Sequence, residues 1–227
     1  MKVLLFFTTF RQFEENKHQV TVLNKQNNLP EGVIIDIILH NNNSAYNYDM
    51  IRESFDIDKL KENRFINDVK IIHTDKNIGY LWGAQEALND NFDTFMNYDY
   101  VIHLNTDVYM CNLVKIMEYM KEQLATEYTF FVNKFRNEGY KTDFCFFKPT
   151  CNVYQYYNSE RTKSKLKPRA IPESLLEYSI KVNNVKYILL PETFIPVKDP
   201  KNDININMKY VYHIHDLKNS IPFIVKN

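Results

Sequence analysis

Glycine is scarce in this chain, at 4 in 227 residues, while Asn, Lys, Ile and Tyr abound. We read that skew as an AT-rich coding bias without functional content. The three cysteines, Cys111, Cys145 and Cys151, are odd in number and lack CxxC spacing. That excludes a disulfide framework and a zinc site, and fits the reduced residues of a cytoplasmic protein. Charge of either sign is not in excess, because 28 Lys and Arg balance 28 Asp and Glu. Without a basic block, a nucleic-acid binder that neutralises phosphates over a broad surface is excluded. One diphosphate, neutralised locally by a metal, is not. No apolar run is long enough to form a transmembrane segment. The opening residues, from Met1 to Phe10, have a short apolar core and no small-residue cleavage site. They read as a first buried strand, not as a signal peptide. No linker and no internal repeat interrupts the chain.

What is present is an ordinary globular composition in a length that suits one domain. Apolar runs at Val3–Phe7, Val33–Leu39, Val69–His73 and Val101–Leu104 read as strands covered on both faces. Helical spacing fills the gaps, at Gln12–Gln26, Tyr48–Asn63 and Tyr80–Phe95. Asn112 is placed to cap a helix whose inner face is Ile116, Met117, Met120 and Leu124. The alternation predicts an α/β fold, with a mostly parallel sheet flanked by helices. The second half is less regular. Strands are expected at Thr129–Val132, Lys141–Phe147 and Lys186–Leu190, and a helix opens at Pro172-Glu173. Residues 158–169 are strongly basic and read as an exposed loop. The tail from Tyr210 to Asp216 alternates as a strand, with His213 and His215 on one face. We expect residues 1–112 to bind a nucleotide and residues 113–227 to elaborate the same domain.

Four predicted strands end in polar residues, and a single crossover hand gathers such ends along one edge. The sharpest case is Tyr100–Cys111, where an apolar strand turns abruptly into Asn105-Thr106-Asp107. A carboxylate there sits in the crevice where open α/β sheets bind ligands. Asn105 and Asp107, two apart, point the same way in extended chain, and paired oxygens suit a divalent cation. The competing reading is a plain turn, which Asn and Asp favour through local hydrogen bonds.

Lys76-Asn77-Ile78-Gly79, the helix after it and then a strand ending in Asn105-Thr106-Asp107 resemble the nucleotide-sugar-dependent glycosyltransferases of the GT-A fold. In that family an Asn-x-Gly loop leads into a helix, one strand before an Asp-x-Asp metal motif. The stretch Thr142–Pro149 is similar to the acceptor-side strand of such enzymes. Glu173 resembles the acidic base of inverting members. His213 and His215 resemble the late histidine that completes the metal site in some members. The first aspartate of Asp-x-Asp is Asn105 here.

The resemblance implies transfer of a hexose or related sugar from a nucleotide-diphosphate sugar to a glycan or glycoconjugate hydroxyl. It also implies Mn²⁺ or Mg²⁺, held by Asp107 with His215 or His213. An imidazole ligand shifts preference toward Mn²⁺. Thr8, Phe10 and Arg11 are placed to line the nucleotide, with Phe10 as core the competing reading. Asn41 is placed to reach the base, although an Asn-rich loop needs no function. Asp75, Lys76, Asn77 and Gly79 would meet base and diphosphate at a helix N-terminus, with Asn105 and Thr106 beside them. Two carboxylates compete as catalytic base. Glu173 is favoured by resemblance, and Asp143 by apolar neighbours that would raise its pKa. Two other functions remain open. A sugar-1-phosphate nucleotidyltransferase would carry a Gly-rich loop after strand one, and Thr8-Thr9-Phe10-Arg11 has no Gly. An inactive binding module of the same fold would fit Asn105.

Overall fold

The computed structural model describes residues 1–26, 28–42, 48–74, 84, 87–134, 139–151, 153, 172–194 and 210–214. Seven strands form one sheet. They are β1 (Lys2–Thr9), β2 (Ile34–Asn41), β3 (Ile66–His73), β4 (Tyr100–Asn105), β6 (Phe130–Lys134), β7 (Tyr140–Phe147) and β8 (Tyr187–Leu189). Their order is β3-β2-β1-β4-β7-β6-β8. The first four are mutually parallel, and β7 runs antiparallel to both β4 and β6. The mostly parallel α/β sheet expected from the sequence is what forms. A separate ribbon pairs β5 (Val108–Met110) with β9 (Val211–His213).

The central strands β1, β2 and β4 are buried on both faces, which explains their continuous apolar runs, whereas the edge strands β3 and β8 are partly exposed, so the cover on both faces expected for Val69–His73 is not found. Leu5 and Phe7 of β1 join one core cluster, while Leu4 and Phe6 join the other. Phe131 and Phe146, on neighbouring strands, stack with ring centroids 4.6 Å apart. Helix α1 (Phe13–Asn24) lies after β1, and α5 (Leu113–Gln123) after β5. The Asn112 side chain accepts from Lys115 N, as the capping pattern predicts. Leu124 is 41% exposed because it follows the last helical turn, so it does not belong to the inner face.

The helix expected over Tyr48–Asn63 is two short ones, α2 (Tyr48–Ser54) and α3 (Ile57–Lys61). Asp56 stops the first and caps the second, accepting from Lys59 N. Such a cap is worth about 1 kcal/mol. Of the helix expected over Tyr80–Phe95, residues 84 and 87–90 are helical, followed by the short α4 (Phe92–Phe95). Helix α6 runs Pro172–Val182, as its opening proline predicts.

Strand order fixes where a ligand can bind. From β1 the chain moves outward to β2 and β3, then crosses back to place β4 on the other side of β1. The sheet therefore reverses direction between β1 and β4, and beyond such a switch point the strand ends open into a crevice. The register aligns the polar ends there, with Thr8 beside both His40 and Asn105, and Asn41 beside His73.

Candidate functional site

Asp107 sits immediately beyond β4, in the turn between β4 and β5. Gln19 of α1 clamps this turn, donating from one amide nitrogen to Thr106 O at 3.0 Å and Val108 O at 2.6 Å. Thr106 is fully buried, and its hydroxyl lies 2.8 Å from Gln12 Oε1 and 3.2 Å from Thr9 Oγ1. It serves the turn and does not face the crevice. The turn then hands the chain to β5, whose ribbon brings in β9. Val108 pairs with His213, and Ile214 N donates to Asp107 O at 3.0 Å.

That pairing delivers the His213 ring to the strand end. His213 Nε2 lies 3.2 Å from Asp107 Oδ2, and its Nδ1 lies 2.8 Å from Asp143 Oδ2. The second approach has the distance of a hydrogen bond without its alignment, and is an ion pair. Asp143 is on β7, which continues the β4 register one step past Leu104–Phe144. Burial alone would discharge His213, but the hydrogen bond and charges of Asp107 and Asp143 outweigh it and push its pKa up to about 9. Burial likewise opposes the Asp143 carboxylate. His213, with help from the charge of the largely buried Lys141, more than compensates, and the Asp143 pKa is lowered. The sequence-based expectation of a raised Asp143 is thus reversed, because burial came with a cationic partner.

Among the described residues, no group of three or more His, Cys, Asp or Glu converges as a metal cage. The His213 ring lies between the two carboxylates, with its nitrogens facing different ways. Asp107 Oδ2 and His213 Nε2 do converge. Two ligands adjacent on an octahedral cation at 2.0–2.1 Å stand about 3 Å apart, so this pair fits one edge of a Mn²⁺ or Mg²⁺ shell. A carboxylate with an imidazole favours Mn²⁺.

On the other side of Asp107, Thr8 Oγ1 lies 2.9 Å from Asn105 Oδ1 and 3.2 Å from His103 Nε2. Phe10 is 41% exposed, which removes the reading of it as core, and the Arg11 guanidinium lies 5.3 Å from its ring centroid. Arg11 has a φ of 57°, a left-handed turn that carries β1 into α1. Asn41 is fully buried, and its amide nitrogen pairs with His73 Nδ1 at 3.0 Å, tying β2 to β3 instead of reaching into the crevice.

Glu173 is half-buried in the first turn of α6. Its backbone packs against Gly139, where a Cβ would stand 2.4 Å from Glu173 O. Because β7 is antiparallel to β4, Gly139 projects beyond the same edge, roughly 13 Å of extended chain from Asp143. Asp75, Lys76, Asn77, Gly79 and His215 lie outside the described residues, as does the basic loop at 158–169.

Sequence reasoning missed three contributors: His103, Gln19 and Lys141. Each is a polar residue within an element read for its apolar positions, and that mismatch was the available signal.

No family model and no curated protein matches the sequence. Solved structures do match the fold. Mouse Xyloside xylosyltransferase 1 in its apo form superposes with a TM-score of 0.57 at 8% identity, over 95% of this chain and 98% of that one. Apo GlyE from Streptococcus pneumoniae TIGR4 gives 0.56 at 13%, over 85% of this chain and 46% of that one. The mannosyltransferase PcManGT from Pyrobaculum calidifontis, in complex with GDP-Man and Mn²⁺, gives 0.56 at 9%, over 84% and 55%. The chain thus spans the mouse enzyme almost entirely, and about half of the other two. Its fold is that of these GT-A-like glycosyltransferases.

Proposed function

We propose that the protein is a metal-dependent, inverting glycosyltransferase. It takes a sugar from a nucleotide-diphosphate sugar and passes it to a hydroxyl of a glycan or glycoconjugate. The observation that carries this reading is the Asp107–His213 pair at the switch point of the sheet. The GDP-Man and Mn²⁺ bound by a protein of the same fold support it.

Asp107 and His213 hold the cation. When bound, Mn²⁺ or Mg²⁺ stabilises the negative charge that builds on the leaving diphosphate. Asp143 orients the His213 ring from its far nitrogen, as outer-shell carboxylates do for metal-bound histidines. Thr8 and Asn105 border the crevice beside Asp107, while Phe10 and Arg11 flank the nucleotide. Asp75, Lys76, Asn77 and Gly79 remain assigned to base and diphosphate on resemblance, and His215 to a second imidazole.

Glu173 is the base. Its carboxylate accepts the acceptor's hydroxyl proton as that oxygen attacks the anomeric carbon, and the nucleoside diphosphate leaves from the opposite face. The packing of Gly139 on the Glu173 backbone, at the open edge, supports this choice. Asp143, engaged by His213, is the weaker base. No described helix is long and apolar enough to cross a membrane. The cysteine usage of the sequence is the ground for proposing a cytoplasmic setting.

Calorimetry with UDP, GDP and dTDP, each with and without Mn²⁺, tests the reading. Metal-dependent binding of one of them is expected. Failure of all three to bind sinks the proposal.

A further inference from the structure

We infer that Asn105 is a fixed hydrogen-bond donor to an oxygen of the bound nucleotide, and not a weakened replacement for a metal-binding aspartate. The inference rests on the donor site proposed above. It follows from where three protons must lie at the switch point.

Thr8 Oγ1 carries a single proton and has two neighbours, Asn105 Oδ1 at 2.9 Å and His103 Nε2 at 3.2 Å. Two arrangements satisfy both contacts. In one, His103 donates from Nε2–H to Thr8, and Thr8 donates to Asn105 Oδ1. In the other, Thr8 donates to a bare Nε2, His103 carries its proton on Nδ1, and the Asn105 amide is turned to donate inward.

His103 decides between them. It is 1% exposed, and its Nδ1 has no hydrogen-bond partner among the described residues. A proton on Nδ1 would be a buried N–H with nothing to accept it, whereas a bare Nδ1 leaves only an unused lone pair. Orphaned buried donors are the rarer defect. Burial also holds the ring neutral, with a pKa lowered to about 4. The proton therefore sits on Nε2, the relay runs His103 to Thr8 to Asn105, and Asn105 Oδ1 is committed inward. Asn105 is half-buried, and its Nδ2 is bonded to no described residue and is not sealed from solvent. That nitrogen opens to the crevice with two protons to give.

A carboxylate at 105 could only accept. The amide selects an acceptor, and the nucleoside diphosphate offers two kinds, ribose hydroxyl and phosphate oxygens. It also keeps the strand end at two carboxylates, Asp107 and Asp143, facing one cation and His213.

Two measurements test this. Long-range ¹H–¹⁵N correlation on histidine-labelled, nucleotide-free protein, assigned through His103→Gln, reads the tautomer. A proton on Nε2 is expected, and a proton on Nδ1 overturns the relay. Calorimetry with Mn²⁺ and the nucleoside diphosphate that binds the wild type then compares variants. Asn105→Asp should weaken nucleotide binding at least about tenfold without tightening Mn²⁺, and Thr8→Val should weaken it several-fold. Thr8→Ser, which keeps the hydroxyl, should restore it. Equal or tighter binding by Asn105→Asp overturns the inference. The corresponding nucleoside, lacking phosphate, locates the acceptor. A loss that persists with nucleoside marks the ribose, and one confined to the diphosphate marks phosphate. Should the wild type bind no nucleotide, the donor site itself falls and the assigned use of Asn105 with it, while the tautomer still judges the relay.

Discussion

His213 Nδ1 and Asp143 Oδ2 stand 2.8 Å apart, while the other nitrogen of the same ring faces Asp107 at 3.2 Å. One imidazole thus separates two carboxylates that would otherwise repel. Removing either carboxylate should have distinct consequences.

Asp107→Ala takes away the proposed oxygen ligand. Its Mn²⁺ affinity, read by electron paramagnetic resonance of free Mn²⁺, should fall by more than the roughly 100-fold that marks outer-shell losses. Wild-type affinity in this variant would remove Asp107 from the metal site.

Asp143→Asn should weaken Mn²⁺ binding by roughly 10- to 100-fold, because the ring loses its orienting charge. Glu173→Gln should leave metal and nucleotide binding intact and lower kcat by roughly 10²- to 10⁴-fold. The converse pattern, with binding intact and turnover lost at Asp143, would exchange the two assignments.

Gly139→Ala tests the placement of α6. The residue has a φ of 126°, and a Cβ would meet Glu173 O at 2.4 Å. Backbone strain of this kind costs about 1–3 kcal/mol. Thermal unfolding should show that loss, and transfer activity should drop further than nucleotide affinity, because the helix start must shift. A variant as stable and active as wild type would show that Gly139 does not set the position of Glu173.

His40 and His103 are buried, and burial lowers both pKa values to about 4. Unfolded, each returns to about 6.5 and binds a proton that the folded form refuses. Their contribution is therefore complete above pH 6.5 and is lost as pH falls toward 4, by about 3 kcal/mol each. Urea unfolding between pH 7 and 4 should show this slope, and His40→Asn should flatten it. An unchanged slope would mean that His40 is protonated in the fold.

The frame of this protein was legible because its signals are local. Runs such as Val101–Leu104 become polar within one residue, and the register confirms that Thr8 and Asn105 end their strands side by side. The Asn112 cap and the Pro172 start were legible for the same reason. What escaped depends on distant pairing. The ribbon of β5 and β9 is three residues long on each side, too short for periodicity to reveal. Its pairing brings His213 to Asp107, while His215, preferred from sequence alone, lies outside the described residues. The direction of the Asp143 pKa turned on a histidine 70 positions along the chain. Tyr48–Asn63 looked like one helix because the residues flanking Asp56 continue a weak apolar spacing, and only the cap hydrogen bond exposes the break.

The β5–β9 ribbon also sets an order of events. During synthesis every strand of the main sheet, through Leu189, leaves the ribosome before Val211 does. A chain paused at that point has every strand of the main sheet, but it lacks Val211 of the larger core, Tyr212 and Ile214 of the small cluster around Tyr109, and half of the Asp107–His213 pair. Long-range pairings of this kind close slowly, after the loop entropy has been overcome. Under the proposed metal site, a chain that has not yet paired β5 with β9 would lack the His213 ligand.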